Sequence, residues 1–159
     1  MFQFAEKNHT IFDGRGWFAV AVFNPKTYQN IGVLFRTCAI HGAAFLSTIG
    51  HRYKAQMGDT TKCHIHLPIF NFESFELLKN TLPANCEIVA VEMTPKAKML
   101  NEFQHPERAL YLLGSEDFGI PEHILKECHR QVKMPGNISM NLAVAGSGVV
   151  LDRIMYPVK

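Results

Sequence analysis

One segment, WFAVAVF at residues 17–23, constrains the fold of this chain more than any other. All of its residues are apolar, so it offers no polar face to water. It is far shorter than the roughly 20 residues that a membrane-spanning helix needs. A short continuous apolar run is typical of a strand in a parallel sheet that helices cover on both faces. Similar runs recur along the chain between helical patterns, and together they predict an α/β fold with a mostly parallel sheet flanked by helices.

The predicted elements alternate along the sequence. We predict strands over residues 17–23, 43–49, 66–72, 86–92, 109–114 and 130–134, and helices over residues 27–42, 74–82, 94–103, 121–128 and 139–155. Ligands of such sheets bind beyond the carboxyl ends of the strands. We therefore expect the functional site among the loops that follow Phe23, Glu92, Leu113 and Met134.

The composition narrows the class of protein. The chain has 159 residues, of which 47% are hydrophobic and 19% charged, which predicts a single domain over residues 1–159 and excludes collagen, coiled coil and disorder. Glu6 and Lys7 lie where a secretory signal would have its apolar core, so we expect a cytoplasmic protein without a membrane segment. Four cysteines without a C-x-x-C pair are expected to be reduced and buried.

Two polar residues stand out in the helical pattern of residues 27–42. Asn30 and Arg36 are six positions apart, which separates them by about 240° around a helix. An arginine at such a position is also typical of a solvated or ion-paired surface.

Two further regions follow predicted strands. In the first, Gly114, Glu116 and Gly119 form a turn between a strand and a helix, without the spacing of a dinucleotide or P-loop motif. In the second, Ser139 is a good helix N-cap, and Asn141 would lie in the first turn of that helix. Small residues around Gly146 and Gly148 are unfavourable inside a helix and indicate that another backbone packs closely there.

Charge and motif spacing leave several possibilities open. The net charge is only +2, but cations concentrate between residues 36 and 66, where they suit either a phosphate backbone or an ordinary wet surface. This basic cluster consists of Arg36, His41, His51, Arg52, Lys54, Lys62, His64 and His66, against Asp59. The cysteines and histidines lack the two-plus-two spacing of a zinc site, and the chain has no G-x-S-x-G motif of a serine hydrolase.

Taken together, the three regions resemble the three motifs of the SpoU (TrmH-like) branch of the SPOUT RNA methyltransferases. The first motif is N-x-G-x-x-x-R, the second is a strand ending in G-x-E-x-x-G, and the third is a strand, a proline and S-M-N-L. The matching residues are Asn30, Gly32 and Arg36, then Gly114, Glu116 and Gly119, then Pro135 and Ser139 to Leu142. Their order and spacing agree over nearly the whole chain.

The resemblance implies a deep C-terminal trefoil knot, a homodimer, S-adenosylmethionine as methyl donor without a metal, and methylation of ribose 2′-hydroxyls in tRNA or rRNA. It implies cofactor contacts from Glu92, Leu113, Gly114, Gly119, Met134, Ser139 and Leu142. It implies a catalytic group of Arg36, Asn30, Glu116, Ser139 and Asn141. We further expect Arg36, Arg52, Lys54 and Lys62 to bind RNA.

Arg36 is awkward as a literal base, because a guanidinium loses its proton only at a pKa of about 12.5 or above. Stabilisation of the developing alkoxide, or a grip on the adjacent phosphate, is the better expectation. Two departures from the family affect the cofactor pocket: the loop between Pro135 and Ser139 is short, and Gly136 replaces a common methionine. The chain resembles minimal members that lack an added N-terminal RNA-binding domain. An RNA-binding or assembly module with the same fold and little turnover, and a SPOUT base methyltransferase, are the alternatives.

Overall fold

The computed structural model describes residues 16–50 and 67–156, which contain a seven-stranded sheet. Its strands are β1 Trp17–Phe23, β2 Leu46–Ile49, β3 Ile69–Phe72, β4 Glu87–Val91, β5 Lys98–Met99, β6 Arg108–Leu113 and β7 Arg130–Lys133. Its α-helices are α1 Tyr28–Ile40, α2 Phe75–Thr81, α3 Glu122–Leu125 and α4 Leu142–Met155. The strand order is β3-β2-β1-β6-β4-β7-β5, and every paired strand is parallel. The predicted α/β class with a mostly parallel, helix-flanked sheet is confirmed.

Successive residues of β1 serve two separate cores, which explains why this strand is apolar throughout. Phe18, Val20 and Val22 join α1 and α4 in one core. Ala19 and Ala21 join α2 and α3 in the other. Because side chains alternate between the faces of a strand, a sheet covered on both sides needs apolar residues at every position.

The carboxyl ends of four neighbouring strands meet at one edge of the sheet. Strand β6 lies between β1 and β4, and its last residue, Leu113, is in register with Val22 and with Val91. Val91 is in turn in register with Val132 of β7. The loops that follow these strands therefore leave the sheet side by side, although they are distant in the sequence.

The helix predicted over residues 94–103 is wrong. This segment forms the short strand β5, paired with β7, and then a 3₁₀ turn over Leu100–Glu102. Its buried residues Ala97, Leu100 and Phe103 are spaced three apart, which reads as a helical pattern in the sequence. Pairing of β5 with β7 at the edge of the sheet overrides that local preference, as tertiary contacts often do.

The packing of α4 also differs from the expectation. A Cβ at Gly146 would lie 2.7 Å from Leu34 and 2.8 Å from Leu113, and one at Gly148 would lie 2.5 Å from Met134, with side-chain atoms in every case. The expectation of a close backbone is therefore wrong, because side chains fill this space.

The far end of α4 is held by a buried cation. Arg153 is 7% exposed and donates to the carbonyl oxygens of Pro106 and Glu107, at 2.6 and 2.8 Å, and to the hydroxyl of Tyr111 at 3.1 Å. Its guanidinium also lies over the ring of Phe18, 5.4 Å from the centroid. The C-terminus of the helix is thereby fixed to the amino ends of β1 and β6.

The cysteines within the described ranges agree with the sequence. Cys38 and Cys86 are buried, Cys128 is half-buried, and all three are free. Burial raises the pKa of Cys38 to about 12 and that of Cys86 to about 11. Cys63 lies outside the described residues. Over residues 16–50 and 67–156, no helix is long and apolar enough to cross a membrane. One domain over all 159 residues stays a prediction.

Candidate functional site

A cavity of about 460 Å³ lies at the edge where the carboxyl ends of β4 and β6 meet. Its walls come from the end of β4, the turn after β6 and the beginning of α4. They are Val91, Glu92, Leu113 to Gly119, Ser139 to Leu142, and Ala145. A smaller cavity of about 60 Å³ shares part of this wall and adds Met134 and Ile138.

The turn after β6 is tightly closed, and two glycines make it possible. Ser115 and Gly119 exchange backbone hydrogen bonds of 3.2 and 2.9 Å. A Cβ at Gly114 would lie 2.2 Å from the carbonyl carbon of Gly119. Gly119 itself has a φ of +66°, and its Cβ would lie 2.5 Å from an oxygen of Glu92. Only glycine fits both positions without strain.

Glu92 connects the end of β4 to this turn. One carboxylate oxygen accepts the N–H of Met93 at 3.0 Å, and the other accepts the N–H of Ile120 at 2.9 Å. The side chain therefore forms a fixed, anionic part of the cavity wall.

Glu116 connects the same turn to the beginning of α1. Its carboxylate accepts the N–H groups of Lys26 and Thr27, at 3.0 and 3.2 Å, and the amide of Asn30 at 3.0 Å. Partial burial alone would raise the pKa of Glu116, but these hydrogen bonds outweigh it and lower the pKa. Next to it, Asp117 pairs with the Lys26 ammonium at 2.9 Å. Glu116 is thus a charged hydrogen-bond acceptor that holds the turn, and it is poorly suited to take a proton near neutral pH.

Asn141 completes a chain of hydrogen bonds across the three motif segments. Its amide nitrogen donates to the side-chain oxygen of Asn30 at 3.1 Å. Its own side-chain oxygen accepts the N–H groups of Ala143 and Val144 and so caps α4. The helix therefore begins at Leu142, and the prediction of a cap at Ser139 is wrong. Because each amide donates at one end and accepts at the other, the orientation of both asparagines is fixed.

The structure places the predicted cofactor residues together. The main cavity is lined by Glu92, Leu113, Gly114, Gly119, Ser139 and Leu142, and the smaller one by Met134. Of the predicted catalytic residues, Asn30, Glu116 and Asn141 are joined by hydrogen bonds, and Ser139 is exposed in the cavity wall. Their roles stay predictions.

Arg36 is not part of this arrangement within one chain. It is exposed on α1, about 9 Å along the helix axis from Asn30, and it lines neither cavity. The other predicted RNA-binding residues, Arg52, Lys54 and Lys62, lie outside the described residues.

Sequence reasoning assigns no role to several residues of the cavity wall. They are Val91, Ser115, Asp117, Phe118, Met140 and Ala145. Ser115, Asp117 and Phe118 occupy the variable positions of G-x-E-x-x-G, so their place in that motif is the signal that could have found them. Among the residues that the structure describes, no group of three or more side chains has the arrangement of a metal site.

Comparisons with known proteins agree with this geometry. The model of the SpoU rRNA Methylase family matches residues 18–151. The tRNA (guanosine(18)-2′-O)-methyltransferase TARBP1 of Mus musculus is 29% identical over 134 residues, which are 77% of this chain. The chain spans only 8% of the length of that relative.

Three solved structures share the fold. A protein studied for the 2-OH methylation of C/U34 on tRNA superposes with a TM-score of 0.75 at 24% identity, covering 91% of this chain and 99% of its own. The SpoU methyltransferase AviRb from Streptomyces viridochromogenes, in complex with AdoMet, gives 0.77 at 19% identity, covering 90% and 58%. The A. aeolicus TrmH/SpoU tRNA modifying enzyme gives 0.79 at 19% identity, covering 94% and 80%.

Proposed function

Because the chain belongs to the SpoU rRNA methylase family, we propose that it transfers a methyl group from S-adenosylmethionine to a ribose 2′-hydroxyl of tRNA or rRNA. The observation that carries this proposal is the hydrogen-bonded chain Glu116–Asn30–Asn141 beside the cavity. It joins the three segments in which the family motifs occur. The mouse relative, a tRNA 2′-O-methyltransferase, and the protein studied for methylation of C/U34 on tRNA support a ribose hydroxyl of tRNA as acceptor.

The cavity fits the proposed methyl donor. Its volume of about 460 Å³ is within the range of small-molecule sites, about 300–1,000 Å³. Leu113, Leu142 and Ala145 supply apolar wall for a nucleoside, and the carboxylate of Glu92 supplies negative charge for a cationic ligand. Gly114 and Gly119 allow the turn to close beside the cavity, because a Cβ at these positions would meet the backbone of Gly119 and the carboxylate of Glu92. When bound, S-adenosylmethionine supplies an activated methyl group on a sulfonium.

The chain's own residues then have positioning roles. Asn30 and Asn141 hold the beginnings of α1 and α4 in fixed relation to the turn that carries Glu116. Pre-organised positioning of two reactants accounts for a large part of the rate in such transfers. Glu116 remains ionised and keeps the turn in place, so the proton of the ribose hydroxyl has to be accepted by another group.

We infer that Arg36 acts in a homodimer, at the site of the partner subunit. On α1, Arg36 lies on the same exposed face as Val33 and Ile40, which are 56% and 43% exposed. The neighbouring helix α4 exposes Val144 and Leu151 at 54% and 42%. Several exposed apolar side chains on two packed helices are typical of an interaction surface, such as an interface between identical subunits. A guanidinium carried on such an interface can neutralise the phosphate beside the reacting ribose.

A mixing experiment tests this arrangement. Arg36→Ala lacks the cation, and Gly114→Val places a side chain against the backbone of Gly119 and so disrupts the turn that forms part of the cavity wall. If each site combines one subunit's cavity with the partner's Arg36, equal amounts of the two inactive variants regain about a quarter of the wild-type sites after subunit exchange. If Arg36 serves its own chain, the mixture stays inactive.

The knot is also part of the proposal. Strand β6 is inserted between β1 and β4, and after β7 the chain returns over the sheet so that Thr37 of α1 and Ser147 of α4 share a hydrogen bond of 2.9 Å. This order of elements supports a threaded C-terminal segment. The cytoplasmic location expected from the sequence stays a prediction.

Methyl transfer to RNA from cells with and without the gene tests the function. With labelled S-adenosylmethionine, we expect the purified protein to label RNA from the deficient cells, and digestion to single nucleosides to give a 2′-O-methylated product. A methylated base would identify a SPOUT base methyltransferase instead. RNA binding without transfer would identify a binding or assembly module.

A further inference from the structure

The side chain of Phe118 belongs to neither hydrophobic core. It is 92% exposed, the highest value among the large hydrophobic residues that the structure describes. By comparison, Phe18 of β1 is completely buried in the core. Phe118 also lies in the wall of the main cavity. Single exposed apolar residues are common on protein surfaces, so the feature that distinguishes this ring is its position in the cavity wall.

The backbone under this ring is fixed. The N–H of Phe118 donates to the hydroxyl of Ser115 at 3.2 Å, and the neighbouring Gly119 is bonded to the backbone of Ser115. The two residues before it are held as well, Glu116 by the beginning of α1 and Asp117 by Lys26. The turn therefore presents the ring in a defined position at the cavity, with little backbone freedom left to lose on binding.

We propose that Phe118 is the platform on which an unpaired nucleobase of the substrate RNA stacks when the adjoining ribose enters the site. This inference rests on the proposed function and names the part of the substrate that the cavity rim recognises. Proteins read single-stranded RNA largely by stacking splayed bases on exposed aromatic rings. A single ring held by a rigid turn is sufficient for one such stack.

The surroundings of the ring favour a base over other occupants. Phe118 is flanked by the carboxylates of Glu116 and Asp117, which disfavour the phosphate backbone. The exposed apolar residues of α1 and α4 lie along two packed helices, whereas Phe118 is a single ring on a polar turn. Met140, on the segment that leads into α4, lines the same cavity and is 40% exposed, so it offers a second apolar contact for a flat ring.

Substitution of Phe118 tests the stack. With unfractionated tRNA from cells that lack the gene, we expect Phe118→Ala to lower kcat/KM by about 5- to 100-fold, which corresponds to the loss of one base–aromatic stack. The loss should appear mainly in the KM for RNA. Phe118→Trp should restore the wild-type value, and Phe118→Leu, which is apolar but not aromatic, should not. The affinity for S-adenosylhomocysteine, measured by calorimetry, should stay within about twofold of wild type. The thermal midpoint should stay within about 2 °C of wild type, as expected of a surface substitution.

Phe70→Ala is the matched control, since Phe70 is an aromatic residue of the edge strand β3, 47% exposed and outside both cavities. We expect it to keep the wild-type kcat/KM. Equal kcat/KM for Phe118→Ala and wild type, or full activity of Phe118→Leu together with a deficient Phe118→Trp, would overturn the stacking role. Dissociation of Phe118→Ala into monomers would overturn it in favour of a subunit contact. Failure of the wild-type protein to methylate any RNA would instead refute the proposed function.

Discussion

Replacing Asn141 separates the stability of α4 from the geometry of the site. In Asn141→Ala, the N–H groups of Ala143 and Val144 lose their acceptor, and Asn30 loses the donor at 3.1 Å. Loss of an N-cap costs about 0.5–2 kcal/mol. Loss of a half-exposed amide–amide hydrogen bond costs about 0.5–1 kcal/mol more. The free energy of unfolding should therefore fall by about 1–3 kcal/mol, which for a domain of this size lowers Tm by roughly 2–10 °C.

A second substitution keeps the cap and breaks only the connection. Asn141→Asp still offers an oxygen to the first turn of α4, where a negative charge is favourable. It can no longer donate to Asn30, and it brings a charge close to Glu116. We expect the free energy of unfolding of Asn141→Asp to lie within about 0.5 kcal/mol of the wild-type value. The cap and the helix dipole offset part of the repulsion between the new carboxylate and Glu116. Methyl transfer should nevertheless fall by more than tenfold, since the beginnings of α1 and α4 are no longer held together.

The matched control is Ser74→Ala. Ser74 caps α2 by accepting the N–H of Leu77 at 3.3 Å, on the side of the sheet away from the cavity. It should destabilise the protein by about 1 kcal/mol without changing the rate of transfer. Urea denaturation and labelled-methyl transfer, measured at a temperature where all variants are folded, give the two quantities. If Asn141→Asp transfers methyl groups at the wild-type rate, the connection between the asparagines has no part in the reaction.

Three further substitutions have defined outcomes. Gly119→Ala puts a Cβ 2.5 Å from the Glu92 oxygen at a φ of +66°, so we expect the affinity for S-adenosylhomocysteine, by calorimetry, to fall about tenfold; unchanged affinity would contradict this. The lowered pKa of Glu116 means that its contribution to stability is present above the unfolded pKa of about 4.3 and is lost as pH falls through the folded value. The difference in urea midpoint between wild type and Glu116→Gln should therefore be constant near neutral pH and shrink below about pH 4.3; a constant difference down to pH 3 would refute it. Arg153→Met leaves the carbonyls of Pro106 and Glu107 without their donor and should cost about 3 kcal/mol in urea denaturation, and a cost below 1 kcal/mol would show that other groups replace it.

The sequence was sufficient to predict the sheet, because the apolar composition of the strands indicates that both faces are buried. A run such as WFAVAVF cannot form a stable strand with one wet face, so parallel pairing and two helical layers follow from it. It was insufficient at residues 94–103, where Ala97, Leu100 and Phe103 have a spacing that suits a helix, but the segment forms a two-residue edge strand followed by a 3₁₀ turn. The spacing of apolar residues indicates which residues are buried, but it does not indicate which other element of the fold covers them.

The site shows a similar division. The motifs indicated which residues belong to the site. They did not indicate that the carboxylate of Glu116 accepts hydrogen bonds from the beginning of α1, or that Asn141 rather than Ser139 caps α4. The contacts of Glu116 with Lys26 and of Asn141 with Asn30 join positions 90 and 111 residues apart, whereas the cap at Asn141 is local. Distances of that kind are set by the strand order, which a local pattern cannot contain.

The strand order explains why three separate motifs can act as one site. Because β6 is inserted between β1 and β4, the segment after β1 and the turn after β6 leave adjacent strands at the same edge. Glu116 can then reach the beginning of α1, and α4, packed on α1, brings Asn141 to Asn30. Arg36 lies about 9 Å further along α1, is exposed and lines neither cavity. In the homodimer that we propose, the partner subunit would bring this charge to the site.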